Sequence, residues 1–314
     1  MVPFDLPLTV RFRGITRRRG VLVRGPAGWG EWSPFAEYVA PEIDSWWRAT
    51  REAAVEGFPA PVRDRVPVNV TIPAVGPADA HARAAASGCG TAKIKVADHP
   101  GSFAEDLARV EAVRDALGPA GRLRVDVNGR WTVDEAVPRL RVLARFGLEY
   151  AEQPCATVEE LADLRRRLAR AGVDVPVAAD ESIRRSGDPE RVVALEAADV
   201  AVLKVQPLGG VRACLWLAER LGLPVVVSSA LETSVGIAAG VALAAALPEL
   251  PYACGLNTVP LLAEDVAADP LVAVDGAIAV RPVRLRPVAE WDAGDAAADA
   301  WRRRWLTMEE KPTW

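Results

Sequence analysis

The chain has 314 residues, of which half are hydrophobic and a quarter are charged, so it can form a barrel of about 250 residues and a smaller second domain. Its formal net charge of −4 provides no basic excess to neutralise phosphates, which excludes nucleic acid as the main partner. Because no apolar run reaches about 18 residues and no signal-peptide block opens the chain, we expect a cytoplasmic protein with no membrane partner.

Residues 1–65 predict a small α+β domain. The segments LTVRFRG, GVLVRG and GWGEWSPF have the alternating pattern of an antiparallel meander, and GITRRRG predicts a tight turn. A helical pattern follows in residues 41–57.

From residue 66 onward, short β-like runs alternate with amphipathic helical stretches. This alternation predicts βαβ units around a parallel sheet. Eight strand candidates favour closure into an α/β barrel, whose active site lies at the carboxyl ends of the strands, and a doubly wound open sheet is the structural alternative. The strand candidates are residues 66–72, 91–97, 122–128, 148–154, 175–182, 199–205, 223–229 and 251–257, and the helical stretches include 102–117, 132–146 and 158–172.

The barrel pattern stops after residue 258. Residues 271–283 predict a hairpin that returns to the first domain, and the tail, with WRRRW and Trp314, is compatible with a docked helix or a frayed end. We therefore expect a barrel of residues 66–264, and a first domain of residues 1–65 joined by a return of about 265–314.

The basic residues provide the first chemical indication. Of the 38 Lys and Arg residues only four are lysine, and the histidines are only two, so histidine-led acid–base chemistry is disfavoured. Arginine stays protonated near neutral pH, whereas a lysine with a lowered pKa can act as a base. The lysines are Lys93, Lys95, Lys204 and Lys311. The first three lie in apolar, strand-like segments, where a charge needs a function or a partner.

Acidic residues end three consecutive strand candidates. Asp126, Glu152 and Asp180 are 26 and 28 residues apart, which is close to one βα repeat each and brings them to similar heights on neighbouring strands. Three converging carboxylates repel one another unless a cation lies between them. The four cysteines are scattered, which argues against a zinc site, whereas hard oxygen ligands suit Mg²⁺, with Mn²⁺ as a possible substitute.

The strand period sets which side chains accompany these carboxylates. Residues two apart share a face of a strand, which groups Lys93 with Lys95, and Arg124 with Asp126 and Asn128, in the barrel interior. A cation beside a carboxylate substrate would stabilise the enediolate formed by loss of its α-proton, and a lysine with a lowered pKa could take that proton. The alternative is that the carboxylates are ion-pair partners of these cations and nothing more.

At these positions the chain resembles the enolase superfamily and, within it, the muconate-lactonising-enzyme subgroup. The resemblance covers almost the whole chain and includes Gly28-Trp-Gly30-Glu31 with Pro34, which is similar to the capping-domain signature. It implies a TIM-like (β/α) barrel of the modified enolase type with an N-terminal α+β capping domain. The barrel motifs are Lys93-Ile-Lys95, Asp126-Val-Asn128, Glu152-Gln-Pro154, Asp180-Glu-Ser182 and Lys204.

Within the subgroup the chain is most similar to the o-succinylbenzoate synthases of the actinobacterial type, in its compact length, in the R-x-D-x-N segment beginning at Arg124 and in SSALETS from Ser228. That family consists of lyases of menaquinone biosynthesis that dehydrate 2-succinyl-6-hydroxy-2,4-cyclohexadiene-1-carboxylate. The resemblance implies that Lys95 abstracts the α-proton and that Lys204, on the opposite face, stabilises the enediolate. The implied Mg²⁺ ligands are Asp126, Glu152 and Asp180, and the implied supporting or substrate-binding residues are Lys93, Arg124, Asn128, Glu181, Ser229 and Gly255.

Other functions stay open at this stage. A dipeptide or N-acylamino-acid epimerase or racemase, or a muconate-type cycloisomerase, would use the same residues, because specificity depends on the loops and the cap. A non-catalytic binding barrel would need neither the lysines nor a metal. The turn GITRRRG is short compared with the cap loop of many relatives, which argues against substrate gating by this turn, and the oligomeric state is not determined.

Overall fold

The computed structural model describes residues 1–185, 187 and 189–307, so Lys311 and Trp314 lie outside the described residues. The chain begins with an antiparallel meander in which β2 lies between β1 and β3. Its strands are β1 Val2–Phe12, β2 Ile15–Gly25 and β3 Gly28–Trp32. The tight turn was predicted to extend over GITRRRG, which is wrong, because Arg13 and Gly14 turn the chain and β2 already begins at Ile15. Both have positive φ, as a two-residue hairpin turn requires, and Ile15 already pairs with Phe12.

The helix predicted over residues 41–57 is present as α1, Glu42–Arg51, followed by a π-helical turn, Glu52–Glu56. Ile43, Trp46 and Trp47 are buried on one face of α1. They pack in an apolar cluster with Trp32 of β3. This cluster is the core of the first domain, which we call the cap.

Within the described ranges, eight parallel strands form a ring in the order β11, β4, β5, β6, β7, β8, β9, β10. A bridge between Ser228 and Gly255 joins the two ends of this series. The closure confirms the predicted barrel and excludes the open doubly wound sheet. The strands are β4 Arg65–Ile72, β5 Thr91–Lys95, β6 Arg122–Asp126, β7 Leu148–Glu152, β8 Val177–Ala179, β9 Val200–Leu203, β10 Val225–Val227 and β11 Cys254–Asn257.

Helices cover the outside of the ring. Capping boxes begin α4 at Thr132 and α5 at Thr157, where each threonine exchanges hydrogen bonds with a glutamate three residues on. None of the described helices is both long enough and apolar enough to cross a bilayer. The helices are α2 Pro77–Ala86, α3 Phe103–Leu117, α4 Val133–Leu143, α5 Val158–Arg170, α6 Glu181–Arg184, α7 Arg191–Ala194, α8 Val205–Leu208, α9 Val211–Leu221 and α10 Ser234–Ala246.

Alternation along the strands separates the apolar core from the polar interior. Ile94 and Val125 pack in the core between the strands and the helices. Their neighbours Lys93, Lys95 and Asp126 therefore point into the ring. Because the strands are parallel, their carboxyl ends meet at one mouth of the barrel, where these polar side chains lie close together.

The predicted hairpin at residues 271–283 is only partly correct. Val274 and Ala277 form its turn, but β12, Ala277–Ala279, pairs antiparallel with β4 of the barrel instead of with the first domain. The reason is that Ile278 is fully buried in the barrel core. The return to the cap comes later, through α11, Asp295–Leu306, whose Trp301 packs edge-to-face on Trp32 at 5.3 Å between ring centroids.

Gly30→Ala tests the contact between β3 and the end of α1. A Cβ at Gly30 would lie 2.2 Å from the carbonyl oxygen of Thr50, so we expect the free energy of unfolding to fall by about 3 kcal/mol, since backbone cannot yield as a side chain can. Urea denaturation measures it. Gly90→Ala is the matched control, because nothing lies within 4 Å of its Cβ. Equal stability of the two variants would contradict this packing.

Candidate active site

Two lysines of β5 pair with carboxylates of the next two strands. Lys93 Nζ lies 3.0 Å from each carboxylate oxygen of Glu152 and 3.6 Å from Oδ2 of Asp126. Lys95 Nζ donates to Oδ2 of Asp126 and, at 2.9 Å, to Oδ1 of Asn128. The strand register produces these contacts, because Lys95 is aligned with Asp126 and Asp126 with Glu152.

Asp180 is held by two cations from different elements. Lys204, which follows β9, donates to its Oδ2 at 2.5 Å, and Arg184 of α6 donates to its Oδ1 at 3.0 Å. Arg184 also donates to Glu181 at 2.6 Å and to the hydroxyl of Tyr38 in the cap. The cap therefore reaches the charged cluster through a hydrogen bond to this arginine.

The same burial acts differently on the two lysines of β5. Burial lowers the pKa of Lys95 and outweighs the charge of Asp126, which raises it, and neighbouring Lys93 lowers it further. Burial alone would also lower the pKa of Lys93, but Glu152 and Asp126 outweigh it and raise that pKa well above its usual range. Of the pair, Lys95 is thus the one suited to act as a base.

The carboxylates also differ from one another. Burial and the nearby charge of Asp126 raise the pKa of Glu152. Burial likewise disfavours the charged forms of Asp126 and Asp180, but it is outweighed by Lys95 at Asp126 and by Arg184 and Lys204 at Asp180, so both pKa values fall well below the usual range. Positive charge in this cluster is therefore what keeps the aspartates ionised.

The carboxylates at the mouth have the oxygen donors that a hard divalent cation prefers. Asp126, Glu152 and Asp180 are fully buried on neighbouring strands, and Oε2 of Glu181 is buried without a hydrogen-bond partner. In the part of the chain described, no three carboxylate, imidazole or thiol side chains converge closely enough to hold a metal as they stand, and lysines pair with all three carboxylates. By position and chemistry the residues fit a hard cation, which would take over contacts that Lys95 and its neighbours make here.

A cavity at the barrel mouth lies between this cluster and the cap. Its volume is about 30 Å³. A larger groove of about 690 Å³ lies beside α5 and away from the lysines. The small cavity is lined by Phe12, Arg13, Thr71, Lys93, Lys95, Asn128, Lys204, Ser228, Ser229, Ala230, Leu231, Gly255 and Thr258.

Most of the sequence-predicted site residues lie together at this mouth. Ser229 and Gly255 line the cavity, and Asn128 links Lys95 to Glu181 through hydrogen bonds of 2.9 and 3.3 Å. Arg124 is the exception.

Arg124 faces the interior, as predicted, but its guanidinium points toward the starts of the strands. It donates to Glu149 at 2.5 Å and to the carbonyl of Ala253 at 2.6 Å, and it stacks on Tyr150 and Tyr252. A supporting or substrate-binding role for Arg124 stays a prediction, and these contacts place its guanidinium away from the mouth. Two residues on a strand span about 6.6 Å, which puts its partners below the plane of Asp126.

Several residues of the site were missed in the sequence. Arg184 lies one helical turn after Asp180, a spacing that could have indicated the pair. Phe12 and Arg13 are brought over the mouth by the cap turn, and the Phe12 ring lies 5.6 Å from Nζ of Lys95. No local pattern indicates that contact, because it joins two domains.

Family models and curated relatives match most of this chain. The family models described as "Enolase C-terminal domain-like" and "Enolase N-terminal domain-like" match residues 77–284 and 4–54. The o-succinylbenzoate synthase of Thermobifida fusca is 64% identical, over 98% of this chain and 98% of the relative. That of Mycolicibacterium smegmatis is 53% identical over 96% and 90%, and that of Mycobacterium tuberculosis is 51% identical over 96% and 89%.

Solved structures share the fold at low identity. A muconate lactonizing enzyme from Pseudomonas fluorescens, complexed with muconolactone, is 24% identical with a TM-score of 0.76, over 91% of this chain and 95% of that chain. An N-succinyl Arg/Lys racemase from Bacillus cereus is 19% identical with a TM-score of 0.78, over 93% and 96%. These likenesses show the fold alone.

Lys93→Met tests the buried ion pairs. Removing this ammonium leaves Glu152 buried without its main partner, so in the presence of chelator we expect the free energy of unfolding to fall by about 3 kcal/mol. Urea denaturation measures it, and a second change, Glu152→Gln, is expected to restore most of the loss. If the double variant were no more stable than Lys93→Met, this pairing would not be what stabilises the cluster.

Proposed function

Because the chain belongs to the enolase superfamily, we propose that it acts as an o-succinylbenzoate synthase, a hydro-lyase that dehydrates 2-succinyl-6-hydroxy-2,4-cyclohexadiene-1-carboxylate to o-succinylbenzoate. The observation that carries this is the 64% identity over nearly the full length of a curated enzyme of that name. We infer that the product enters menaquinone biosynthesis.

We infer a divalent cation, Mg²⁺, at the carboxylates Asp126, Glu152 and Asp180, with Mn²⁺ able to substitute because it also prefers oxygen ligands. The support is the donor chemistry of three fully buried carboxylates and the unpartnered oxygen of Glu181. When bound, the cation supplies positive charge near the ring carboxylate of the substrate, which lowers the free energy of the dianionic enediolate.

Lys95 is assigned to the proton transfer. In its neutral form it takes the proton from the carbon that bears the carboxylate, and burial favours that form by lowering its pKa. The C–O bond to the ring hydroxyl then breaks, and the ammonium of Lys95 returns a proton to the departing oxygen, which leaves as water. The ring becomes aromatic, which makes the overall step favourable.

Lys204 is assigned to electrostatic stabilisation. Lys204 follows β9, which lies across the barrel from β5. Its ammonium is therefore assigned to the face of the substrate ring opposite to Lys95. It donates to Asp180 at 2.5 Å, which orients it. Asn128, Lys93 and Glu181 hold the reacting groups in place through their hydrogen bonds, and Ser229 and Gly255 are assigned to the succinyl side of the substrate.

The other reactions considered from the sequence are not favoured. Two opposed lysines would also serve an epimerase, but the curated relatives that are 51–64% identical are named as synthases. A non-catalytic barrel would not need a buried lysine with a lowered pKa at its mouth.

The direct test is conversion of the purified cyclohexadiene substrate. With Mg²⁺ present we expect rapid loss of the absorbance of the conjugated diene as the benzene ring forms. Chelation should abolish the reaction and Mg²⁺ should restore it, and Mg²⁺ should also raise the melting temperature of the chelated protein, since it binds only the folded state. Folded, Mg²⁺-loaded protein that leaves the diene unchanged would refute the synthase activity. Turnover indifferent to chelator would refute the metal site alone.

Lys95→Arg tests the assignment of the base. Arginine retains the charge beside Asp126 but stays protonated, so we expect kcat to fall by about 10³-fold or more with a nearly unchanged melting temperature. Initial rates of diene loss measure the effect. Arg17→Lys, at a half-exposed position of the cap, is the control and should retain full turnover. Near-normal kcat in Lys95→Arg would assign the base elsewhere.

A further inference from the structure

Arg18, on β2 of the cap, is a buried arginine with contacts to the barrel. Only 2% of its surface is exposed. Its guanidinium donates to the carbonyl of Leu231 at 2.8 Å, to the carbonyl of Ala230 at 3.3 Å, and to Oγ of Ser33 at 2.9 Å. It also stacks on Phe35 at 4.4 Å from the ring centroid. A guanidinium presents five N–H donors in a rigid planar fork, whereas a lysine ammonium has three rotatable donors at a single point.

The two barrel carbonyls belong to a segment that forms a wall of the cavity. We call residues 229–231 the β10 wall, because they follow strand β10, and all three line the cavity. Leu231 has a positive φ of 65°, an unfavourable conformation for a branched side chain that only its surroundings can maintain. Arg18 stabilises this conformation directly, because its guanidinium donates to the carbonyl of Leu231.

Two buried glutamates, Glu31 and Glu232, extend the hydrogen-bond network between the cap and the segment after β10. Ser33 Oγ, which accepts from Arg18, donates in turn to Glu31 at 2.6 Å. Glu31 accepts from the backbone N–H groups of Thr233 at 3.1 Å and Gly236 at 3.0 Å, at the start of α10. Glu232 accepts from the backbone N–H of Ala230 at 2.7 Å. The backbone of Ala230 and Leu231, and the start of α10 that follows the β10 wall, are thus held by a buried charged network that includes Arg18.

The β10 wall lies across the barrel mouth from the three carboxylates. Asp126, Glu152 and Asp180 lie at the ends of β6, β7 and β8, whereas β10 and β11 lie on the other side of the closed ring. A substrate whose ring carboxylate is directed to the carboxylate side extends its remaining group toward the β10 wall.

We propose that Arg18 is a positioning residue that holds the β10 wall in the shape that binds the succinyl group of the substrate. It touches no reacting atom and acts through the backbone of Ala230 and Leu231. The inference rests on the proposed synthase function and adds a role for the cap in substrate affinity.

Arg18→Met and Arg18→Lys provide the test, with Arg19→Met as the matched control. Arg19 is on the same strand but exposed, and it pairs with Asp5 on the cap surface. For the Arg18 variants we expect KM for the diene and Kd for o-succinylbenzoate, followed by tryptophan fluorescence, to rise about tenfold or more, while kcat changes by less than about threefold. Arg19→Met should match the parent in all three.

Benzoate, which has the ring carboxylate but no succinyl group, separates this role from a general disturbance. Its inhibition constant should be the same in the parent, in Arg18→Lys and in Arg19→Met. Equal weakening of benzoate and o-succinylbenzoate, or unchanged KM and Kd, would overturn the proposal. If Arg18→Met does not fold, Arg18→Lys and Ser33→Ala, which keep the charges, decide it. Failure of the parent to convert the diene would instead refute the proposed function, and that is measured first.

Discussion

The structure depends on the pairing of charges that are withdrawn from water together at the mouth of the barrel. A buried charge without a partner costs several kcal/mol, so Asp126, Glu152 and Asp180 can be ionised only if cations alternate with them. Lys93 and Lys204 meet this requirement from strands on either side. The parallel register makes the alternation possible, because it brings the strand ends to one level. Each group assigned to the chemistry therefore also compensates the charge of a neighbour.

This pairing explains how one strand can present two lysines of different character. Lys93 and Lys95 are two residues apart on β5 and share a face, yet the pKa of one is raised and that of the other is lowered. The difference lies in their partners, since Lys93 pairs with both Glu152 and Asp126, whereas Lys95 pairs with Asp126 alone among these carboxylates and lies near the ring of Phe12. Burial, which disfavours the charged form of a lysine, thus lowers the pKa of Lys95 and favours the neutral form that a base requires.

The cap is part of the site as well as its cover. Its aromatic core and the returning helix α11 provide the apolar contact area, which favours docking without fixing its geometry. The geometry comes from directional contacts that cross the interface, such as Tyr38 to Arg184 and Glu31 to the start of α10. The Gly30 and Glu31 of the sequence signature acquire physical roles here, one in close packing and the other in the attachment of a helix to the cap.

The sequence by itself determined the alternation of strands and helices in the barrel, the inward faces of β5 and β6, and the order of the lysine and carboxylate motifs. These properties follow from local periodicity and from the repeat of the βα unit. It did not determine that β12 joins β4, that Arg124 points toward the starts of the strands, or that Arg18 and Arg184 enter the buried network. Each of these depends on which distant segments meet, and a polar residue carries no local mark of its partner. Only the closed barrel and the docked cap decided them, because burial forces every charged group to find a partner within its reach.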